Sequence, residues 1–175
     1  MRLFRRRATH DAAGYEVHYE HPTQPLAAAF LKAAAADDLA GLWLALSRES
    51  RGMFEGRYAT RERLRLSRAA HVGEDDGDAR MTEVAGPLAE SVRSALGGAP
   101  RVNAMGVSAA RLLSRVEAFV LLLPDVEGTA FVREDDWKPA HLLGFVYENR
   151  EWKVDLGLTA VLSEEAGLPD PLGEL

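Results

Sequence analysis

Asp155 is the acid whose setting most invites a chemical reading. It lies near the end of the run FVYENREWKVDLGL (145–158), in which polar and apolar residues alternate, and its neighbours Val154 and Leu156 are apolar. A carboxyl group desolvated at the wall of an apolar pocket is suited to general acid or base work. If the chain is an enzyme, Asp155 would carry the proton and His141 or Tyr58 would assist it, in a lyase or isomerase reaction on a hydrophobic carbonyl compound. The plainer reading pairs Asp155 with Lys153 on the solvent side of a sheet, where ion pairs are common and contribute little.

Other residue sets carry weaker chemistry. Arg57, Arg61, Arg65 and Arg68 recur within RGMFEGRYATRERLRLSR, with Phe54 and Tyr58 interleaved. Such a run can hold an anion or single-stranded nucleic acid, although a solvated helix face explains it more simply. The net charge of −6 opposes general attraction to phosphate backbones, even though positive charge gathers before His71 and negative charge after it. Nucleic acid is therefore not the expected partner. Glu16, His18 and Glu20 would share one side of a strand, but a polar face accounts for them and no metal is expected. GEDDGDAR lacks the acid spacing of a calcium loop. No glycine-rich phosphate loop or G-x-S-x-G elbow occurs, so no cofactor is implied. The absence of cysteine excludes disulfides, thiol catalysis and cysteine-ligated zinc.

The elements that must position these residues follow from periodicity. The 175 residues, 47% apolar and 27% charged, suit one soluble globular domain. No apolar run is long enough to cross a bilayer and MRLFRRR lacks the apolar core of a secretory signal, so a cytoplasmic protein is expected. GYEVHYEHP alternates as an edge strand behind a basic arm. Pro25 can open a helix that runs through Ala36, and Asp37 or Asp38 caps a second over DLAGLWLALSRES. RGMFEG reads as a turn-rich break and ATRERLRLSRAAH as a further helix capped by Thr60. After the acidic loop VGEDDGDA, GPLAESVRSALGG is a helix with Pro87 near its start and glycines at its end.

Strands gather in the remainder: RVNAMGV, Val116 to Leu123, GTAFVRE, HLLGFVYE and EWKVDLGL. SAARLLSRVEAF fits a helix as well. A two-residue turn at Asn149 and Arg150 would set Tyr147 opposite Trp152, Phe145 opposite Val154 and Leu143 opposite Leu156 on one packed face. On the other face Gly144 would oppose Asp155 and Leu142 would oppose Gly157. Trp137, in a turn after REDD, is an expected exposed contact. The last residues, VLSEEAGLPDPLGEL, read as an acidic tail with one helical turn. The chain thus divides into a basic arm and edge strand (1–24), an α+β body (25–160) and the tail (161–175).

The helical stretch PLAAAFLKAAAADDLAGLWLALSRES followed by strands that end in FVYENREWKVDLGL resembles the nuclear transport factor 2-like superfamily, which includes ketosteroid-isomerase-like and polyketide-cyclase-like members. The resemblance covers about residues 25 to 160 and rests on the aspartate after the first helix and the final W-K-V-D. It implies a curved mixed sheet wrapped around N-terminal helices, a cone with an apolar pocket at its open end, and dimerisation through the outer sheet face. The family's isomerases set an aspartate base opposite a tyrosine, and its dehydratases use His, Asp and Tyr. No motif aligns Asp155, His141 or Tyr58 with those sites, and the stretch from Gly73 to Val107 departs from the simplest family pattern. Trp43, Phe30, Leu142 and Val146 are the candidates for lining such a pocket, although helical spacing makes Trp43 and Phe30 good core residues too. The expected function is a non-catalytic module, homodimeric, that binds a small apolar ligand or another protein chain.

Overall fold

A computed structural model describes residues 9–10, 14–18, 20–69, 77–124 and 141–171; GTAFVRE and Trp137 lie outside them. The protein is an α+β domain. Its elements in chain order are β1 (Thr9–His10), β2 (Glu16–His18), α1 (Thr23–Ala36), α2 (Leu39–Ala45), α3 (Arg48–Arg61), α4 (Leu66–Ala69), α5 (Gly77–Ala95), α6 (Ala99–Asn103), β3 (Gly106–Val107), β4 (Ala110–Leu112), β5 (Glu117–Leu123), β6 (His141–Glu148), β7 (Glu151–Val154) and α7 (Leu156–Ala166). The sheet order is β1-β2-β4-β5-β6-β7, with β3 also paired to β5. All of these strand pairings are antiparallel; the parallel contact is a bridge from Leu46 to Val154.

Strand alternation divides the core between the two sheet faces. Val120, Leu122, Leu143, Phe145 and Val154 pack with Phe30, Leu42, Trp43, Leu88 and Val92 of the helices in the main cluster. Phe119 and Leu142 point the other way and meet Leu158 and Leu162 of α7. The last helix therefore covers part of the outer sheet face, the face on which the resemblance leads one to expect a dimer. Its close approach is made at Gly144, where an added Cβ would lie 3.0 Å from both Leu158 Cγ and Thr159 N.

The last hairpin has the register that alternation predicts: Phe145 pairs with Val154, Val146 with Lys153 and Tyr147 with Trp152. Its turn places Asn149 and Arg150 at φ 49° and 69°, the left-handed pair that a two-residue hairpin loop demands. The strand does not, however, continue to Leu158. It stops at Val154, Asp155 caps α7, and the expected Leu143–Leu156 and Leu142–Gly157 pairs do not form. The physical reason is a second period in the same residues. Leu156, Thr159, Leu162 and Ser163 recur at helical spacing and are buried, with Gly167 closing the helix at φ 64°. The stretch expected to be a tail with one helical turn thus belongs to α7 as far as Ala166.

Other differences have similar causes. RGMFEG is no break: it lies within α3, whose Ser50, Phe54 and Tyr58 form a buried stripe that outweighs the low helix propensity of two glycines. Thr60 lies in the last turn of α3 and caps no helix start, its hydroxyl bonded back to Gly56 O at 2.8 Å, and Arg63 at φ 54° separates α3 from the short α4. The helix around Pro87 begins ten residues earlier, at Gly77. RVNAMGV splits into α6 and the two-residue β3, and the ambiguous SAARLLSRVEAF forms strands β4 and β5.

Candidate functional site

Asp155 is buried, 6% exposed, and both its oxygens are engaged. Oδ1 accepts the Leu158 amide at 2.8 Å, which caps α7; Oδ2 receives the Ser47 hydroxyl at 2.6 Å. Ser47 is itself the cap of α3, accepting the Ser50 amide at 3.0 Å, and its hydroxyl lies 2.8 Å from that of Ser50. Ser50 Oγ in turn accepts the Leu156 amide at 2.9 Å. Two helix N-termini are therefore fastened to each other by one carboxylate and two hydroxyls, in a place where the partial positive charge of both helix ends favours an anion. Ser47 and Ser50 are the members that sequence reasoning missed. Their signal was present, since L-S-R-E-S sets a serine immediately before a helix, but the expected helix DLAGLWLALSRES joins α2 to the first residues of α3 and runs through Ser47.

The other proposed catalytic groups do not join this cluster. Tyr58 lies eleven residues beyond Ser47 on α3, about 16 Å along the helix axis. His141 lies three residues from Gly144, the β6 neighbour of Asp155, hence roughly 10 Å away along the strand, and its Nδ1 contacts Pro169 O at 2.9 Å. Asp155, His141 and Tyr58 occupy three separate environments. Lys153 does not pair with Asp155 either: its ammonium bonds Leu44 O at 3.0 Å and Glu151 at 2.9 Å. Glu16 and His18 contact each other at 2.8 Å on β2, while Glu20, at φ 64°, has left the strand. Among the described residues no three potential metal ligands gather.

Three of the four residues expected to line a pocket belong to the core. Phe30, at 1% exposed, and Trp43, at 5%, are interior, the latter edge-on to Phe54 with centroids 6.4 Å apart. Leu142 lies beneath α7 and Val146 is half-buried on β6.

A concave site forms instead between α3 and α5. This groove, of about 410 Å³, has Phe54, Tyr58, Val84 and Pro87 as its apolar lining. Arg57 and Arg61, one turn apart on α3, stand on one wall; Glu83, Glu90 and Ser91 stand on the other. The volume falls within the range of about 300 to 1,000 Å³ typical of small-molecule sites. Arg61 spans the mouth, 3.5 Å from Glu83, with its guanidinium 5.4 Å from the Tyr58 ring centroid. Its pKa is raised, chiefly by the hydrogen bond it donates to Glu62 at 2.8 Å. Pro87 lacks the amide that would otherwise bond the Glu83 carbonyl, so that carbonyl has no partner one turn on in the helix. Of the four arginines singled out in the sequence, two thus come together here, while Arg65 and Arg68 are exposed beyond the end of α3. Glu83, Pro87 and Glu90 were not foreseen, because only tertiary packing brings α5 against α3.

Comparison with known proteins finds no family model that matches the chain, no similar curated protein and no similar solved structure.

Proposed function

We propose that this protein is a non-catalytic binding module whose α3–α5 groove takes a small molecule with an apolar body and an acidic end. The observation that carries this reading is the groove's construction: two aromatic side chains, a valine and a proline form its apolar lining, and an arginine pair on one wall faces Glu83, Glu90 and Ser91 on the other. Burial of the apolar body would supply most of the affinity, and Arg57 and Arg61 would orient the acid. The engagement of Asp155 by two helix starts supports a structural role for that carboxylate rather than proton transfer. The resemblance to the nuclear transport factor 2-like superfamily agrees with a pocket-bearing α+β scaffold. A second copy of the chain is the proposed partner. With α7 on the outer face of the sheet, such a dimer would use other surface.

The experiment is isothermal titration with decanoate. The intact protein is expected to bind it. Ser91→Phe, which fills the groove from its wall, should abolish binding while leaving the circular dichroism spectrum unchanged, and Arg57→Glu with Arg61→Glu should weaken it about tenfold or more. Equal affinity in all three proteins would overturn the proposal.

A further inference from the structure

A second concavity lies at the far end of the sheet, where the turns of two hairpins meet the start of α1. Its volume is about 650 Å³ and its lining includes Tyr147, Trp152, Arg115, Arg150, Glu151 and Lys153. The two turns are joined: the Tyr147 amide donates to Val116 O at 2.7 Å, which sets the β4–β5 turn bearing Arg115 against the strand that leads to Arg150.

Two features of this site are unusual for a merely solvated sheet end. Tyr147 is 41% exposed and its ring lies 5.3 Å from that of half-buried Trp152, tilted by 54°, so an aromatic surface faces the cleft. Trp152 is steadied by the edge of His21, 4.9 Å away. Around these rings the charges are unequal. Lys153 is matched by Glu151, whereas among the described residues neither Arg115 nor Arg150 has a carboxylate partner. The turn also holds Arg150 at φ 69°, a conformation that costs a residue bearing a Cβ and is easily met by glycine or asparagine.

We infer that this cleft is a binding site, distinct from the groove, for a planar aromatic ring that carries an anionic group. The ring stacks at Trp152 and Tyr147, and the anion is held between the guanidiniums of Arg115 and Arg150, groups whose planar donors suit carboxylate and phosphate alike. Aromatic stacking alone would accept neutral rings, and arginine alone would accept any anion. The two together select for both properties in one molecule.

The test uses the full chain and three probes: 2-naphthoate, its neutral analogue 2-naphthamide, and cyclohexanecarboxylate, with adenosine monophosphate as a phosphate-bearing arm. Indole N–H signals in ¹H–¹⁵N spectra report the location, because Trp152 lies in this cleft while Trp43 abuts Phe54 of the groove. Naphthoate is expected to shift the Trp152 signal and leave that of Trp43 in place. Naphthamide and cyclohexanecarboxylate should each bind about tenfold more weakly, as should naphthoate to the Arg115→Gln, Arg150→Gln double variant. Tighter binding of adenosine monophosphate than of naphthoate would assign the anion as phosphate, and the reverse would assign it as carboxylate. Absence of a Trp152 shift, a shift of Trp43 alone, or equal affinity for naphthamide would overturn the inference, and none of these outcomes bears on decanoate binding in the groove.

Discussion

Replacing Asp155 with alanine separates a structural carboxylate from a working one. The substitution removes the Leu158 cap, worth about 1 kcal/mol, and the bond from the Ser47 hydroxyl, about 1.5 to 3 kcal/mol for a charge-assisted partner. Part of the second loss is recovered, since the Ser47 hydroxyl can turn to Ser50, already 2.8 Å away. A net destabilisation of about 2 to 3 kcal/mol follows, which for a chain of this length lowers Tm by roughly 5 to 10 °C. Asp155→Asn keeps an oxygen for the cap and should cost only about 1 kcal/mol. Urea unfolding followed by circular dichroism measures all three proteins, and Ser47→Ala with the double variant completes a cycle whose coupling should be about 1 to 2 kcal/mol. If Asp155→Ala unfolds at the wild-type midpoint or above it, as is common when a group is held in place for function at the expense of stability, the capping account is wrong.

Gly144→Ala should destabilise by about 1 to 3 kcal/mol in the same assay, because the new methyl group would meet α7 backbone that cannot swing aside. Arg150→Gly should stabilise by roughly 0.5 to 1 kcal/mol by relieving its left-handed conformation, and no gain in urea midpoint would contradict the turn geometry. The pKa of His21 is lowered from 6.5 by burial and then by His18, so the unfolded chain takes up the proton first as pH falls. The stability that neutral His21 contributes is whole above about pH 6.5, declines as pH drops towards the folded value, and then levels. Urea midpoints across that range should show the slope in the wild type and a flatter profile in His21→Gln.

The hairpin register was legible because period-two alternation, one aromatic pair and a two-residue turn all specify the same pairing. The helix that follows was not. Leu156 and Leu158 prolong the alternation of the strand, and the competing helical period emerges only when Thr159, Leu162 and Ser163 are counted with Leu156. A related ambiguity hid α3, where Gly52 and Gly56 argue against a helix that Ser50, Phe54 and Tyr58 stabilise by burial. Asp155 was rightly placed beside Gly144, whose carbonyl accepts its amide at 3.0 Å, but the partners that define its role, Ser47 and Ser50, are more than a hundred residues away in sequence. The groove was half legible: Arg57, Arg61 and Tyr58 could be singled out from one helix, whereas Glu83, Pro87 and Glu90 carry no local sign that they face it.

Isotope-filtered nuclear Overhauser spectroscopy of the protein with bound decanoate tests the proposed function most directly. Cross-peaks from the decanoate methylene protons to the rings of Phe54 and Tyr58 and the methyl groups of Val84 are the predicted result. Cross-peaks confined to other parts of the surface, or none at saturating decanoate, would contradict it.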